Sequence, residues 1–295
     1  MGQVSEGKKA ARFEFIEKNR TVFGLGYLCR RLDVSPAGYY KWCRRTVSAR
    51  DRENQALTAR IHHIFQEHHG NYGSPRIHQE LRNQGWVVNR KRVSRIMQQE
   101  GLVGKAAKLY RRTALPENSC TRLENLRVDR PVPCKPNQQW AGDVSYLKIN
   151  HQWLYLSVVL DLYSRKVIGW AIDKKRTTDL TLASLNMALD QRKVEPGLIF
   201  HSDKGAEYAA HIFQNRLRSA GIRPSMNRSK TLVDNIHVES FFRTYKTELF
   251  YSMTFEDEEQ LKKMTGWYLE SCYNEQRIHT SILFKSPNQY ERMVA

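Results

Sequence analysis

Apolar residues recur every three or four positions between residues 11 and 45, the spacing of one face of an α-helix. The positions that set this pattern are Phe13, Ile16, Val22, Leu25, Leu28 and Leu32. A further helix is predicted after Ser35 and Pro36, because serine caps helix starts and proline fits the first helical position. The layout predicts a helix-turn-helix with Arg44 and Arg45 as DNA contacts, and an ordinary helical bundle fits it about equally well.

A second helix-turn-helix is predicted between residues 74 and 102. Ser74 and Pro75 begin its first helix, Gly85 ends that helix, and Asn89 caps the next one. The second helix has four cations in its opening turns, opposite its apolar side: Arg90, Lys91, Arg92 and Arg95. Cations placed in this way suit phosphate and base-edge contacts in a major groove. DNA binding is therefore favoured over the alternative that these cations only form a solvated face.

From residue 138 the pattern changes to strands. The first predicted strand carries Asp143, the second runs from Trp153 to Leu160, and the third from Lys166 to Ile172. Further strands then alternate with helices, and the last long helix is predicted from Glu256 to Tyr273. This order predicts an α/β fold with a mixed sheet.

The distribution of charge supports this division of the chain. The formal net charge is +18, and residues 1–140 hold 27 Lys and Arg against 12 Asp and Glu, whereas residues 141–295 are nearly neutral. The front half is thus a candidate for binding a polyanion. Five cysteines without a Cys-x-x-Cys pair indicate reduced thiols. With no secretory signal and no apolar stretch of membrane length, we expect a cytoplasmic protein that has no membrane partner.

Three acidic residues are the candidate chemistry. Asp143 lies on a predicted strand, Asp203 follows a short apolar strand, and Glu239 opens an amphipathic helix. Carboxylates from three elements suit Mg²⁺ or Mn²⁺, and two such ions can clamp the attacking and leaving oxygens of a phosphodiester. Each acid taken alone also fits a turn residue, a cap or a surface ion pair, so the prediction rests on the three contexts together.

The helix that contains Glu239 has an apolar stripe and an adjacent polar face. The stripe, which is predicted to be core, is formed by Val238, Phe241, Phe242, Tyr245 and Leu249. Arg243 and Lys246 share the polar face with Glu239, and we interpret both as holding DNA phosphates; a surface ion-pair ladder is the alternative. Asp234 is a candidate cap, and Asn235 is placed near the metal site among the DNA contacts.

Several short motifs carry a family resemblance. In the second half they are Trp140-Ala-Gly-Asp143-Val-Ser-Tyr, Asp161-Leu-Tyr-Ser-Arg165, His201-Ser-Asp203-Lys-Gly205, Asp234-Asn235 and Glu239-Ser-Phe-Phe with Lys246 seven residues on. The flanking motifs are Tyr72-Gly-Ser-Pro-Arg-Ile77, Val88-Asn-Arg-Lys-Arg-Val93 and Tyr273-Asn-Glu-Gln-Arg-Ile-His279. With these motifs the chain resembles the OrfB transposases of bacterial insertion sequences (the IS-three family), within the retroviral-integrase superfamily.

The resemblance implies an RNase H-like catalytic core with a mixed five-stranded sheet, preceded by all-helical helix-turn-helix modules. It implies that Asp143 bridges two Mg²⁺ ions, that Asp203 and Glu239 complete one site each, and that Lys246 contacts the terminal DNA. Mn²⁺ is expected to substitute. The sequence departs from the family pattern at Lys204, where arginine is common, and at Ile236, where a small residue is usual.

We therefore predict a DNA transposase that cuts and joins insertion-sequence ends. The expected domains are a first DNA-binding region (1–50), a second (51–112), a linker (113–136), the catalytic core (137–250) and a helical extension (251–295). Expected partners are terminal inverted repeats, target DNA, further copies of the chain and an upstream OrfA product or fusion. The expected place of action is the bacterial nucleoid. No side-chain nucleophile is required, so Tyr146 and Tyr163 are interpreted as packing residues. A DNA-binding regulator and a plain RNase H-type nuclease are the rival hypotheses.

Overall fold

The computed structural model describes residues 9–44, 49–105, 125–127, 132–227 and 235–294. Arg45, Asp234 and most of the predicted linker lie outside these residues. The chain divides into two compact units, Met1–His62 and His63–Ala295. The five domain boundaries stay a prediction.

The first unit contains three short helices around a small core. They are α1 (Lys9–Phe23), α2 (Leu25–Arg31) and α3 (Pro36–Cys43). The Ser35 side chain accepts a hydrogen bond from the Gly38 N–H at 3.0 Å, as expected for the cap of α3. The buried residues of this core are Ile16, Leu28, Cys29, Leu32 and Tyr39. The local prediction of a capped helix is therefore confirmed here.

The helix-turn-helix predicted between residues 74 and 102 consists of two short helices. A long helix, α4 (Ala49–Glu67), precedes α5 (Ser74–Asn83) and α6 (Arg90–Gln99). Gly85 adopts a φ of 84° after α5, a conformation that a side chain would strain. The Asn89 side chain accepts from the Lys91 N–H at 2.8 Å and caps α6. The apolar side of α6 is buried through Val93, Ile96 and Met97, which leaves its charged side outward.

The second unit also contains a five-stranded mixed sheet, as predicted. Its strands are β1 (Gln139–Ile149), β2 (Gln152–Asp161), β3 (Val167–Asp173), β4 (Ile199–Ser202) and β5 (Arg223–Met226). Their spatial order is β3-β2-β1-β4-β5. The first three strands form an antiparallel meander, while β4 pairs parallel to both β1 and β5. The central strand β1 is therefore the one that carries Asp143.

Helices cover both faces of the sheet. They are α7 (Thr178–Gln191), α8 (Ala206–Ala209), α9 (His211–Ser219), α10 (Ile236–Glu248), α11 (Glu258–Trp267) and α12 (Pro287–Glu291). The predicted apolar stripe of α10 is buried in one core cluster, while Leu185 of α7 and Leu217 of α9 belong to the other. A Cβ at Gly169 would lie 2.1 Å from the Ser184 carbonyl oxygen, so α7 packs onto β3 only because that residue is glycine. None of the helices in the described ranges is long and apolar enough to cross a membrane.

The C-terminal region differs from the single long helix predicted there. The α-helix α11 ends at Trp267 and continues as a π-helix from Tyr268 to Gln276. The Asn274 side chain accepts from the Val167 N–H at 3.0 Å and donates to the Val167 carbonyl oxygen at 2.9 Å. These bonds tie the widened helical turn to the edge strand β3. Such a tertiary contact leaves no trace in local helical periodicity.

A pair of hydrogen bonds joins α5 and Tyr72, two residues before its start, to the segment that follows the π-helix. The Ile278 N–H donates to the Tyr72 hydroxyl at 3.1 Å, and Arg76 Nε donates to the Ile278 carbonyl oxygen at 2.9 Å. The adjacent His279 ring faces Tyr273 edge-on and lies 3.3 Å from Arg277 Nη1. Burial and then the charges of Arg277 and Arg76 lower the pKa of His279 well below its ordinary value. Its neutral form is therefore favoured in the folded state.

We expect the free energy of unfolding to fall as pH drops below about 6.5, the ordinary histidine pKa. A depressed pKa in the folded state means that the unfolded chain takes up the proton first, so stability is full above that pH and is lost below it. Urea titrations between pH 5 and 8 measure the dependence. A His279→Gln variant should show a shallower pH slope, by up to about 1.4 kcal/mol per pH unit. The matched change at exposed His151 should leave the slope as it is; equal slopes in all three proteins would contradict the assignment to His279.

Candidate active site

The register of the sheet brings Asp143 and Asp203 together. Gly142 of β1 pairs with Ser202 of β4 in a parallel ladder, and each aspartate is the next residue along its strand. Neighbouring strands lie about 4.8 Å apart, and paired residues of parallel strands share a face. The charge of Asp203 accordingly contributes to the raised pKa of Asp143. The two carboxylates thus occupy one site at the end of β4.

A hydrogen bond fixes the start of α10 beside this site. Asn235 Nδ2 donates to the Gly142 carbonyl oxygen at 3.3 Å, directly before Asp143 in the chain. Glu239 lies one helical turn after Asn235 and is half-buried. Ile236 is 49% exposed and points away from the core, so its bulk does not disturb the packing around Glu239. The third predicted acid is therefore brought towards the two aspartates.

The contact of Asn235 with DNA stays a prediction, and the structure places this side chain in the protein interior. Asn235 is only 2% exposed, because its side chain packs against the backbone of β1. Its Oδ1 atom is buried and has no hydrogen-bond partner among the described residues. Asn235 thus anchors the start of the helix that carries Glu239.

The carboxylates are held in an electrostatic environment that disfavours their charge. Burial and the nearby charge of Asp203 raise the pKa of Asp143 to about 8, against a hydrogen bond from the Val144 N–H. Burial also raises the pKa values of Asp203 and Glu239. A divalent cation would relieve this repulsion, since it favours the charged forms of all three carboxyl groups.

The site's donor chemistry fits Mg²⁺ or Mn²⁺, which prefer carboxylate oxygen. Among the described residues, however, no three His, Cys, Asp or Glu side chains are already gathered as ligands of one ion. The structure thus brings Asp143 and Asp203 side by side, with Glu239 on the adjacent helix. A complete ligand set would also need the Glu239 carboxylate.

Arg176 and Glu207 belong to the same site, and the sequence analysis missed both. Arg176 Nη2 lies 2.6 Å from Glu207 Oε1 and 4.0 Å from Asp203 Oδ2. A Cβ at Gly205 would lie within 2.9 Å of both the Glu207 and the Asp203 carboxylates, so a side chain at this position would displace them. The four-residue spacing from Asp203 to Glu207 was a weak signal in the chain. Arg176 follows two lysines in a turn and gave no signal.

The predicted cations fall into two groups. Lys246 and Arg243 lie on α10 near the carboxylates, and the charge of Asp143 acts on Lys246, whose pKa is lowered by burial. Burial raises the pKa of Glu239, and the charge of the exposed Arg243 partly offsets this rise. The cations Arg90, Lys91, Arg92 and Arg95 lie on α6, and Arg44 follows α3. Arg92 is half-buried, and the other four cations are exposed.

Tyr146 is a surface residue, which corrects its interpretation as a packing residue. It is 60% exposed, and its ring meets Trp153 edge-on with centroids 5.5 Å apart. The Lys246 ammonium lies 4.5 Å from the centroid of the Tyr146 ring. Tyr163 does pack, since its ring centroid lies 4.9 Å from that of Tyr290. Exposed aromatic rings of this kind contribute little to a core.

Comparisons with known proteins agree with this architecture. Residues 133–231 and 239–294 match integrase core domain families, and residues 52–110 match an HTH-like domain. The transposase InsF for insertion sequence IS3A of Escherichia coli K12 is 35% identical over 282 residues, covering 95% of this chain and 98% of that protein. The transposase for insertion sequence element IS904 of Lactococcus lactis is 32% identical over 248 residues, covering 84% of this chain and 98% of that protein. The chain therefore belongs to the IS3 family of insertion-sequence transposases, which combine an HTH-like domain with an integrase core.

Proposed function

We propose that this transposase cuts one DNA strand at the end of its insertion sequence and joins the freed 3′-OH to a second phosphodiester. The observation that carries the proposal is the convergence of Asp143 and Asp203 at the end of β4, with Glu239 on the helix anchored beside them. The same in-line displacement serves both steps, first with water and then with the hydroxyl as nucleophile. No covalent protein–DNA intermediate is required.

Asp143, Asp203 and Glu239 would hold two Mg²⁺ ions, and Mn²⁺ would substitute. The ions supply an activated nucleophile and neutralise the charge on the phosphate. The protein's own contribution is to keep three carboxylates together despite their repulsion and to exclude competing groups. Arg176 holds Glu207 in an ion pair, so this fourth carboxylate is already neutralised next to Asp203.

Positively charged side chains beside the carboxylates would hold the DNA backbone. Lys246 and Arg243 lie on the helix of Glu239, at spacings of seven and four residues, so both extend along the same side of α10. Phosphates bound there would be neutralised by cations, which offsets the repulsion between DNA and the acidic site. We assign Lys246 to the DNA end and Arg243 to the adjoining backbone.

The exposed cations of α6 would bind the terminal repeat. Replacing Lys91 and Arg95 singly by alanine is expected to weaken binding of DNA ends and of unrelated DNA alike, because phosphate contacts carry no sequence information. Each variant should also reduce the slope of log affinity against log salt by about 1. Fluorescence anisotropy over a salt series measures both quantities.

Lys263→Ala, a change at an exposed lysine of α11, is the matched control and should retain the full salt slope. Equal slopes for the wild type and the two α6 variants would contradict a phosphate contact at α6. Arg44 and Arg45 are proposed to add a second DNA contact from the first unit. Both arginines are replaced together by alanine. If this variant loses affinity for DNA but keeps the wild-type slope of log affinity against log salt, the proposed phosphate contacts are excluded.

Two DNA ends must meet for joining, so we propose that the active form contains at least two copies of the chain. An upstream OrfA product, separate or fused, would add a further DNA-binding module. The site of action is proposed to be the bacterial cytoplasm, at the nucleoid. Sedimentation with and without DNA ends measures the number of copies.

A single assay separates this function from its two rivals. Labelled duplexes that carry the terminal repeats of the insertion sequence are incubated with the protein, with and without Mg²⁺. Cleavage and joining are scored separately. A transposase produces both products, only from true ends and only with the metal. A plain RNase H-type nuclease would cut RNA–DNA hybrids without joining, and a DNA-binding regulator would bind ends without cutting. Glu239→Gln serves as the inactive control.

A further inference from the structure

A cluster of two exposed rings and two lysines lies at the β1–β2 hairpin, here called the hairpin patch. It consists of Tyr146, Lys148, Trp153 and Lys246. The ring of Tyr146 meets that of Trp153 at 5.5 Å, while Lys148 Nζ lies 5.4 Å from the Trp153 ring and Lys246 Nζ lies 4.5 Å from the Tyr146 ring. Tyr146 and Trp153 remain 60% and 46% exposed.

Both rings of the hairpin patch keep about half of their surface open to solvent. Lys148 and Trp153 are direct partners across the β1–β2 ladder. Tyr146 precedes Lys148 by two residues and therefore lies on the same face of the sheet. Two exposed aromatic rings in contact offer an apolar surface that a binding partner can cover. Two cations beside two aromatic rings indicate that the partner is negatively charged and offers flat, apolar faces.

We propose that the hairpin patch binds unpaired nucleobases of the DNA end, with Tyr146 and Trp153 stacking on bases and Lys148 and Lys246 pairing with phosphates. Aromatic rings interleaved with cations are the usual platform for single-stranded nucleic acid. A base within a duplex is already stacked on both sides, so the patch fits ends that have opened. This inference rests on the proposed function, since the strand must enter the carboxylate site.

The position of the patch fits the path of such a strand. Tyr146 lies three residues after Asp143 on β1, about 10 Å along the strand at 3.3 Å per residue, and this odd spacing puts the two side chains on opposite faces of the sheet. A DNA strand spans that length with about three nucleotides at 3.4 Å each. Lys246 belongs both to the patch and to the helix of Glu239, so it connects the two surfaces. A DNA strand bound at both places would therefore pass around the open edge of β1 beyond Gly142, beside Lys246.

The test compares two forms of the terminal-repeat duplex without divalent cations, so that neither is cut. In one form the last base pairs are mismatched, and in the other they are paired and cross-linked. Tyr146→Ala and Trp153→Ala are each expected to weaken binding to the mismatched form about 10-fold, from the loss of one stacked base, and to leave the cross-linked form unchanged. Tyr146→Phe keeps the ring and should bind as the wild type does.

Tyr251→Ala is the matched control, because Tyr251 is 58% exposed and lies outside the hairpin patch. Equal losses on both DNA forms, or no loss on either, would overturn the stacking role; if Tyr146→Ala fails to fold, Trp153→Ala decides. Cleavage and joining by the wild type in Mg²⁺ are measured in parallel. If the wild type cuts and joins ends normally but the variants bind the two DNA forms equally well, only the proposed role of the hairpin patch is refuted. A wild type that binds neither form overturns both the patch and the proposed function.

Discussion

Asp143→Asn is expected to abolish both strand cleavage and strand transfer, by at least about 1,000-fold in rate. Asp143 lies on the central strand, next to Asp203 and close to the start of α10, so the substitution removes a carboxylate from the middle of the proposed metal site. Charge stabilisation by bound metal is worth several kcal/mol, and each 1.36 kcal/mol is a factor of ten. Single-turnover assays on labelled ends, with cleavage and joining followed separately, measure the loss.

The same variant should fold at least as stably as the wild type. The pKa of Asp143 is raised to about 8 by burial and by Asp203, which means that the charged form is disfavoured in the folded protein. A neutral side chain of equal size removes this repulsion, so thermal unfolding is expected at the same or a higher temperature. Asp190→Asn, at an exposed position of α7, is the matched control for activity. Residual joining above one per cent of the wild-type rate by Asp143→Asn would contradict the proposed role.

Glu248→Ala is expected to lower the free energy of unfolding by about 3–5 kcal/mol, the usual result of leaving a buried cation unpaired. Glu248 accepts hydrogen bonds from Arg277 Nε and Nη2 at 2.8–3.0 Å and from the Tyr268 hydroxyl at 2.9 Å. Both charged side chains are less than 10% exposed. Their pairing joins the end of α10 to the segment after the π-helix, and urea unfolding measures its loss.

Two further variants separate the ion pair from simple packing. Replacing Glu248 and Arg277 together by leucine should recover most of the lost stability, because neither charge is then left buried. Glu195→Ala removes the partner of Lys135 in an exposed ion pair and should leave the unfolding transition nearly unchanged. A double variant as unstable as Glu248→Ala would show that the effect comes from volume and not from charge.

Features set by neighbouring residues were predictable from the sequence. Ser35 and Asn89 cap their helices as expected, because a cap needs only a side-chain oxygen and an N–H two or three residues later. The apolar stripe of α10 was also predictable, since its 3.6-residue period identifies the buried side before any partner is known. The motifs around Asp143, Asp203 and Glu239 pointed to one family, and the matches to two transposases confirm it.

Contacts between distant residues were not predictable in this way. Arg176 reaches Glu207 across 31 positions of the chain, and Asn235 reaches Gly142 across 93, so neither contact leaves a local pattern. For the same reason Asn235 was assigned to DNA although it is buried. Tyr146 is exposed because it lies beyond Gly142, where the pairing of β1 with β4 ends and the edge of β1 is open. The sequence around Tyr146 does not reveal where this pairing ends.

The order of residues alone established the helical and strand segments, the charge asymmetry and the family, because periodicity, capping and motif spacing are written in short stretches of chain. Tertiary structure alone decided that Asp143 and Asp203 share a face, that Arg176 and Glu207 join them, and that α11 passes into a π-helix. The physical reason is that strand register, burial and electrostatic coupling depend on how distant segments pack.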